Sequence, residues 1–285
     1  MPSNNVHWFP GHMKKALAEI EDRIKLVDVV IELFDARAPL ASQNPFLERA
    51  LANKKKLVLL TKSDLADPIE TKNWENVLKQ KYDSLLVMNL TENRITDALS
   101  KAIFELGKAK RQKEISRGMK PQPIKTMIVG IPNVGKSSLI NKLAKRKAAG
   151  VQNKPGFTRG EQFIKVNQDF ILLDTPGILP MNYDDKAKAC NLALIGCVKE
   201  DILPNHVLVE VLLDKLRKDY PNALKERYEI ETIGTPEEVL KAIADRRKLL
   251  DSTGQLDLVR AESLLLKEFK DGKLGRLTLE KAQWV

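Results

Sequence analysis

The sequence predicts an α/β fold, a mostly parallel sheet with helices on both faces, followed by a small all-helical domain. Five apolar runs carry the first part: Val27–Phe34, Leu57–Leu60, Leu85–Met88, Thr126–Val129 and Phe170–Leu173. Their hydrophobicity is continuous rather than alternating, which suits strands covered on both faces. Segments with helical spacing, Lys72–Lys81, Ile95–Gly107 and Ser137–Lys145, lie between them, and that alternation builds doubly wound sheets. After about residue 183 the strand-like runs fade and helical ones remain.

Taken in order, polar loops follow the strands. Asp35-Ala36-Arg37 follows the first, Thr61-Lys62-Ser63-Asp64 the second, Gly130–Ser137 the fourth and Asp174–Gly177 the fifth. In such sheets ligands bind outside the carboxyl ends of the strands, so these loops are expected to converge on one site. Lys101–Lys125 holds eight basic residues against two acidic ones. It starts as the end of a helix and finishes, at Pro121-Gln122-Pro123, as a linker. Pro204–Lys218 has helical spacing. Thr235-Pro236-Glu237-Glu238 starts another helix, with Thr as cap, Pro first and Glu third. Val239, Leu240, Ile243 and Leu250 supply its apolar stripe. Leu256–Phe269 makes a further helix, which Asp271-Gly272 stops. The expected domains are 1–182 and 183–285.

With 285 residues, 43% of them hydrophobic, the chain can bury a sizeable core. No apolar run approaches the roughly 20 residues needed to span a bilayer, and Met1–Met13 lacks the pattern of a secretory signal. A cytoplasmic protein without a membrane partner is the expectation. Cys190 and Cys197 have no further ligands at zinc spacing and are expected to be buried thiols. The formal net charge of +10 favours a polyanionic partner, nucleic acid before an anionic membrane surface. Aromatic residues, at 5%, are too sparse to make base-stacking platforms the obvious mode.

The densest motif is Gly130-Ile131-Pro132-Asn133-Val134-Gly135-Lys136-Ser137, a match to G-x-x-x-x-G-K-[ST] between a strand and a helix. Glycines let such a loop wrap closely, so its backbone N–H groups point at phosphate oxygens. The helix that follows adds its positive dipole end. The expected contacts are Gly130, Asn133, Val134, Gly135, Lys136, Ser137 and Ser138. Lys136 would reach the β- and γ-phosphates and the Ser137 hydroxyl would bind magnesium. Asp174-Thr175-Pro176-Gly177 follows a strand; Asp174 would serve the magnesium shell and the Gly177 N–H would meet the γ-phosphate. In the polar loop between them, Thr158 is the candidate for a further magnesium ligand that senses the γ-phosphate.

Thr61-Lys62-Ser63-Asp64 resembles the N-K-x-D base motif. An aspartate can accept two hydrogen bonds from the N1–H and exocyclic amine of guanine, a pair that adenine does not offer. The Lys62 stem can pack along the base. Thr61 replaces the usual Asn, so a brace within the site is expected to be weaker. Asn89 and Leu90, after the third strand, stand where a second base-contacting loop would be and are expected to act through the backbone.

The base motif at 61–64 precedes the phosphate loop at 130–137, the reverse of the usual order. With Trp8-Phe9-Pro10-Gly11-His12-Met13 and Asp35-Ala36-Arg37-Ala38-Pro39, this order resembles the circularly permuted P-loop GTPases, and among them the ribosome biogenesis GTPase A (YlqF) family, over nearly the whole chain. The resemblance implies a GTP-hydrolysing factor acting late in maturation of the large (50S) ribosomal subunit. Proteins similar to this chain bind the precursor particle, made of rRNA and ribosomal proteins, with GTP and leave after hydrolysis. It implies GTP/GDP and Mg2+ as cofactors. A monomer is the expected state. The helical part looks like an RNA-contacting domain, with Lys241, Arg246, Arg247 and Lys248 as candidates for phosphate contacts.

Many GTPases place a water-orienting glutamine after D-x-x-G. Here that residue is Ile178, which can neither donate nor accept. The resemblance points to His12 as a catalytic residue beside Lys136 and Thr158; His7 is a second candidate, and packing or RNA contact is the other use of such a histidine. Through Asn133, a potassium ion beside the phosphates is a further candidate. Low intrinsic hydrolysis, raised by the particle, is expected. Three alternatives stay open: an RNA-binding scaffold locked by nucleotide in which hydrolysis is incidental, an ATPase, which Asp64 argues against, and a membrane-associated GTPase, for which no anchor motif is found.

Overall fold

The computed structural model describes residues 6–7, 18–92, 95–145, 163–173, 182–183, 185–198, 203–231 and 233–284. A two-residue ribbon pairs β1 (Val6–His7) antiparallel with β8 (Asn182–Tyr183). The main sheet holds β2 (Val29–Asp35), β3 (Lys55–Thr61), β4 (Ser84–Val87), β5 (Ile124–Gly130), β6 (Phe163–Lys165) and β7 (Phe170–Leu173), in the order β4-β3-β2-β5-β7-β6. Its pairs are parallel except β6 with β7. Each of the five apolar runs contributes a strand. Every residue of the central strand β2 is buried, which is why its sequence shows no polar alternation.

Helices cover both faces. Residues 18–24 are helical (α1), followed by α2 (Pro45–Ala50), α3 (Pro68–Lys81), α4 (Ile95–Ser116) and α5 (Lys136–Lys145). α3 begins two residues after Ala66 because the Asp67 carboxylate accepts from the Ile69 and Glu70 amides, with Pro68 in the first turn. On one face Val30, Met127 and Val129 pack against Ile20, Ile24, Leu47 and Leu51. Further along the same face Phe34, Val58 and Leu60 pack against Trp74 and Leu78. Glu32 lies between Val30 and Phe34 on that face by strand alternation, and it divides the two clusters. The opposite face, with Ile31, Leu33, Leu57, Leu59 and Ile128, packs against Leu99 and Ile103 of α4 and Leu139 of α5.

That second core continues without a break into the C-terminal helices α6 (Lys186–Leu194), α7 (Asn205–Asp219), α8 (Ala223–Tyr228), α9 (Pro236–Arg246) and α10 (Leu258–Lys270). The Thr235 hydroxyl and the Glu238 carboxylate close a reciprocal capping box at the start of α9. α10 packs against α6, α7 and α9 and ends at Asp271, with Gly272 at φ 74°. Cys190 and Cys197 are buried free thiols. Among the described residues no helix is long and apolar enough to cross a membrane.

Residues 274–284 run back from α10 onto the sheet's loops. The Leu277 amide donates to Leu65 O at 3.0 Å and the Leu279 amide to Arg37 O at 2.7 Å. The indole N–H of Trp74 donates to Glu280 O at 2.9 Å. The Glu280 carboxylate, itself buried, accepts from the Leu40 and Ala41 amides at 2.6 and 3.1 Å and from Asn191 Nδ2 at 3.0 Å. Burial raises that carboxyl, while these three donors and the nearby Lys215 oppose the rise.

Candidate functional site

The strands β2, β3, β4 and β5 run in one direction, so the loops after them meet at one edge of the sheet. The register sets Asp35 beside Thr61 and Leu33 beside Gly130. Thr61 is fully buried there, and its hydroxyl lies 2.7 Å from Val134 O and 3.1 Å from Phe34 O. A single O–H donates once, and the shorter approach makes Val134 its main acceptor. The brace that sequence reasoning expected to weaken without an asparagine amide is thus made by a hydroxyl.

The chain leaves β5 through a loop whose backbone only particular residues allow. At Gly130, φ is 150° and a Cβ would stand 2.9 Å from Leu33 O. At Gly135, φ is 110° and a Cβ would stand 2.6 Å from Leu90 Cδ1. Side chains are therefore excluded at both positions. Asn133 takes a left-handed φ of 57°, a conformation asparagine adopts more readily than most residues. Its Nδ2 donates to Gly196 O at 2.7 Å, so the turn after α6 sits on this loop. α5 starts at Lys136, and Ser137 and Ser138 are exposed in its first turn. The Lys136 ammonium is buried, donates to Gly130 O and Ile131 O at 3.0 and 2.5 Å, and is pulled down to about 8 by burial. A helix N-terminus, an exposed pair of hydroxyls and a cation in one loop form a donor set suited to phosphate oxygens.

Around the loop after β3 the charges form a chain. Burial would raise the Asp35 carboxyl, but Arg37 and Lys62 outweigh it and hold it at about 2. Arg37 Nε and Nη2 donate to its two oxygens at 3.0 and 2.9 Å, and Lys62 Nζ lies 3.0 Å from Oδ2. Arg37 also donates to Ile195 O and Lys270 O, at 3.2 and 3.1 Å. Lys62 takes φ 56°, and Asp64, two residues on, is exposed at the edge. After β4, the Asn89 side chain accepts from the Thr91 amide and hydroxyl, which turns its carbonyl into its own loop. Leu90 lies against Gly135, and its carbonyl accepts from Lys142 Nζ at 2.9 Å.

Of the residues singled out from sequence, the structure gathers Thr61, Lys62, Ser63, Asp64, Asn89, Leu90 and Gly130 to Ser138 at this edge. His12, Thr158, Asp174, Gly177 and Ile178 lie outside the described residues. His7 is placed by its backbone only, opposite Asn182. Lys241, Arg246 and Lys248 are exposed, Lys241 paired with Glu237 at 2.7 Å and Arg246 with Glu229. Arg247 turns inward, donating to Arg227 O at 3.3 Å with its guanidinium 5.0 Å from the Tyr228 ring centre. Among the described residues no group of three His, Cys, Asp or Glu side chains could hold a metal. Sequence reasoning assigned no contact to Arg37 and did not see Arg276, whose guanidinium bridges the Ser63 and Ala66 carbonyls.

Comparison with known proteins bears on this arrangement. The family model described as "50S ribosome-binding GTPase" matches residues 125–256. Ribosome biogenesis GTPase A of Bacillus cereus is 41% identical over 278 residues, covering 96% of this chain and 93% of that protein. Mitochondrial ribosome-associated GTPase 1 of Mus musculus is 32% identical, covering 96% and 90%. In structure, the chain resembles GNP-bound YlqF from Thermotoga maritima, with a TM-score of 0.66, 27% identity, and coverage of 94% and 99%. A relative 41% identical and aligned over nearly the whole of both chains, with a solved structure of the same fold beside it, means that this chain belongs to the ribosome biogenesis GTPase A family.

Proposed function

We propose that this GTPase is an assembly factor that acts late in maturation of the large (50S) ribosomal subunit, in the cytoplasm, as a monomer, with hydrolysis stimulated by the precursor particle. Family membership makes it a GTPase of ribosome biogenesis. The observation that carries the site reading is the junction of the phosphate loop and the base loop through Thr61 and Val134, with Asp64 exposed beside it. In this reading Asp64 takes the N1–H and amine of guanine, and Lys62 lies along the base. Gly130, Asn133, Val134, Gly135, Ser138 and Gly177 offer backbone N–H groups to the phosphates, and Asn89 and Leu90 border the base. Lys136 leaves its carbonyl partners for the β- and γ-phosphates. Ser137, Thr158 and Asp174 would hold Mg2+, which neutralises charge on the phosphates when bound.

The chemistry also needs a group that orients water, since Ile178 cannot. The β1–β8 ribbon supports His12 in that role. His12 lies five residues beyond His7, and Gly177 five residues before Asn182, the residue paired with His7. Each arm spans at most about 18 Å when extended, so the two can meet. Asn133 offers the second route: its Nδ2 is engaged with Gly196, and its Oδ1 is the atom a potassium ion would take. Residues 183–285 form the RNA-contacting part, with the exposed Lys241, Arg246 and Lys248 facing phosphates; the net charge of +10 supports an RNA partner.

The test is GTP turnover with and without large-subunit precursor particles, in potassium and in sodium. Stimulation by the particle is expected, and His12→Ala should lower it while GTP affinity is kept. No response to particle or cation would contradict the proposal. Ile178 favours one second reading, a nucleotide-locked scaffold in which hydrolysis is incidental; single-turnover hydrolysis no faster on the particle than off it would select that reading.

A further inference from the structure

The loop that carries Asp64 is held from outside by the C-terminal segment. Four backbone groups between residues 63 and 67 find their partners there. Arg276 Nη2 donates to Ser63 O at 2.8 Å and Arg276 Nε to Ala66 O at 2.9 Å. The Leu277 amide donates to Leu65 O at 3.0 Å, and the Asp67 amide donates to Thr278 Oγ1 at 3.1 Å. Within the loop the Leu65 amide donates to Lys62 O at 3.0 Å. Leu65 also packs on Gly272, where a Cβ would stand 2.6 Å from its Cδ2. The holding segment is itself fixed. The Thr278 amide donates to the Tyr220 hydroxyl at 3.0 Å, that hydroxyl lies 3.1 Å from Asp67 Oδ2, and Glu280 is buried on the Leu40 and Ala41 amides.

A guanidinium is a rigid planar fork, so one arginine bonded to two carbonyls fixes their separation and direction. Asp64 lies inside the span that this fork closes, between Ser63 and Ala66. We propose that Arg276 is a positioning residue for guanine recognition: it holds the turn from which Asp64 reaches the base. The inference rests on the reading of Asp64 as the base-contacting residue. Two hydrogen bonds from one base edge to one carboxylate demand both position and angle, and their strength falls steeply with misalignment. The phosphate loop is held by other contacts, so loss of the Arg276 bridge weakens base discrimination before phosphate binding.

The experiment uses the full chain and compares GDP with IDP, whose base lacks the exocyclic amine but keeps N1–H. Arg276 is exposed, so its replacement removes little packing. Arg276→Ala is expected to weaken GDP about fivefold and IDP less, shrinking the GDP/IDP preference by about threefold, with Arg276→Lys in between because an ammonium has no fork. Thr278→Val, which keeps volume and loses the acceptor for Asp67, should shift the preference the same way. Asp64→Ala is the reference and should abolish the preference. If Asp64→Ala leaves the preference intact, the base reading fails and the inference with it. If Asp64→Ala abolishes it while Arg276→Ala matches wild type, or weakens both nucleotides equally, the positioning role alone is overturned. Should Arg276→Ala fail to fold, an unchanged preference in Thr278→Val overturns it in the same way.

Discussion

The Thr61 hydroxyl donates to the Val134 carbonyl at 2.7 Å, which ties the end of β3 to the phosphate loop after β5. The two residues lie 73 positions apart in sequence, and this bond joins their loops into one structure. Thr61→Val keeps the shape and leaves a buried carbonyl without its donor, at a cost of about 1–3 kcal/mol. GDP affinity is expected to fall about tenfold, measured by titration calorimetry; affinity within about twofold of wild type would show that the brace does not matter to binding.

Asp35 is the hub of a buried ion network that reaches Lys62 on one side and, through Arg37, the carbonyls of Ile195 and Lys270 on the other. Asp35→Asn leaves a buried guanidinium uncompensated, and removal of one buried partner typically costs about 3–5 kcal/mol. Urea unfolding at pH 7 should show a loss of that order. The Asp35 carboxyl sits at about 2, below its ordinary 3.8. Its charged form is favoured by folding, so the contribution is full above about pH 4 and disappears as pH falls toward 2. The gap between wild type and Asp35→Asn should narrow over that window, by about 2.5 kcal/mol at most.

Glu32 has the opposite sign. Burial pushes its carboxyl up to about 7, with Lys56 and Lys81 opposing and Glu48 adding to the rise. Folding favours the protonated form, so stability declines as pH rises from about 4.5 through 7. Glu32→Gln mimics that form and should be more stable at pH 8, by no more than about 3 kcal/mol. Urea midpoints across pH 4.5–8 check this, and parallel curves for the two proteins would contradict it.

Glu280 fastens the return segment. Glu280→Ala strands two backbone amides and the Asn191 amide around a buried site. Each unpaired buried group costs about 1–3 kcal/mol. The thermal midpoint is expected to drop by several degrees, and Trp74, whose indole donates to the backbone carbonyl of residue 280, should report any shift of the segment in its fluorescence. An unchanged midpoint would show that the segment is not fastened here.

Much of this fold was legible because its signals are local. Continuous apolar runs marked the strands, and the Thr235-Pro236-Glu237-Glu238 start of α9 carries its own cap. The turn at Gly130–Ser137 was legible because its glycines sit where a side chain would meet Leu33 O or Leu90. What escaped is long-range. Arg276, Thr278 and Glu280 stand in a segment without periodicity, and their partners lie more than 200 residues away at Ser63, Asp67 and Leu40. Arg37 was visible as part of a motif, but its bonds to Ile195 and Lys270 depend on tertiary packing. β6, three residues long, is too short to stand out as a run.

Whether GTP controls the binding of this protein to ribosomal particles is read by nucleotide-dependent co-sedimentation with large-subunit precursors. Binding is expected with a non-hydrolysable GTP analogue, weak binding with GDP, none with the corresponding ATP analogue, and loss of the GTP-dependent fraction in Asp64→Ala. Equal sedimentation in every nucleotide state, or none in any, would contradict that control.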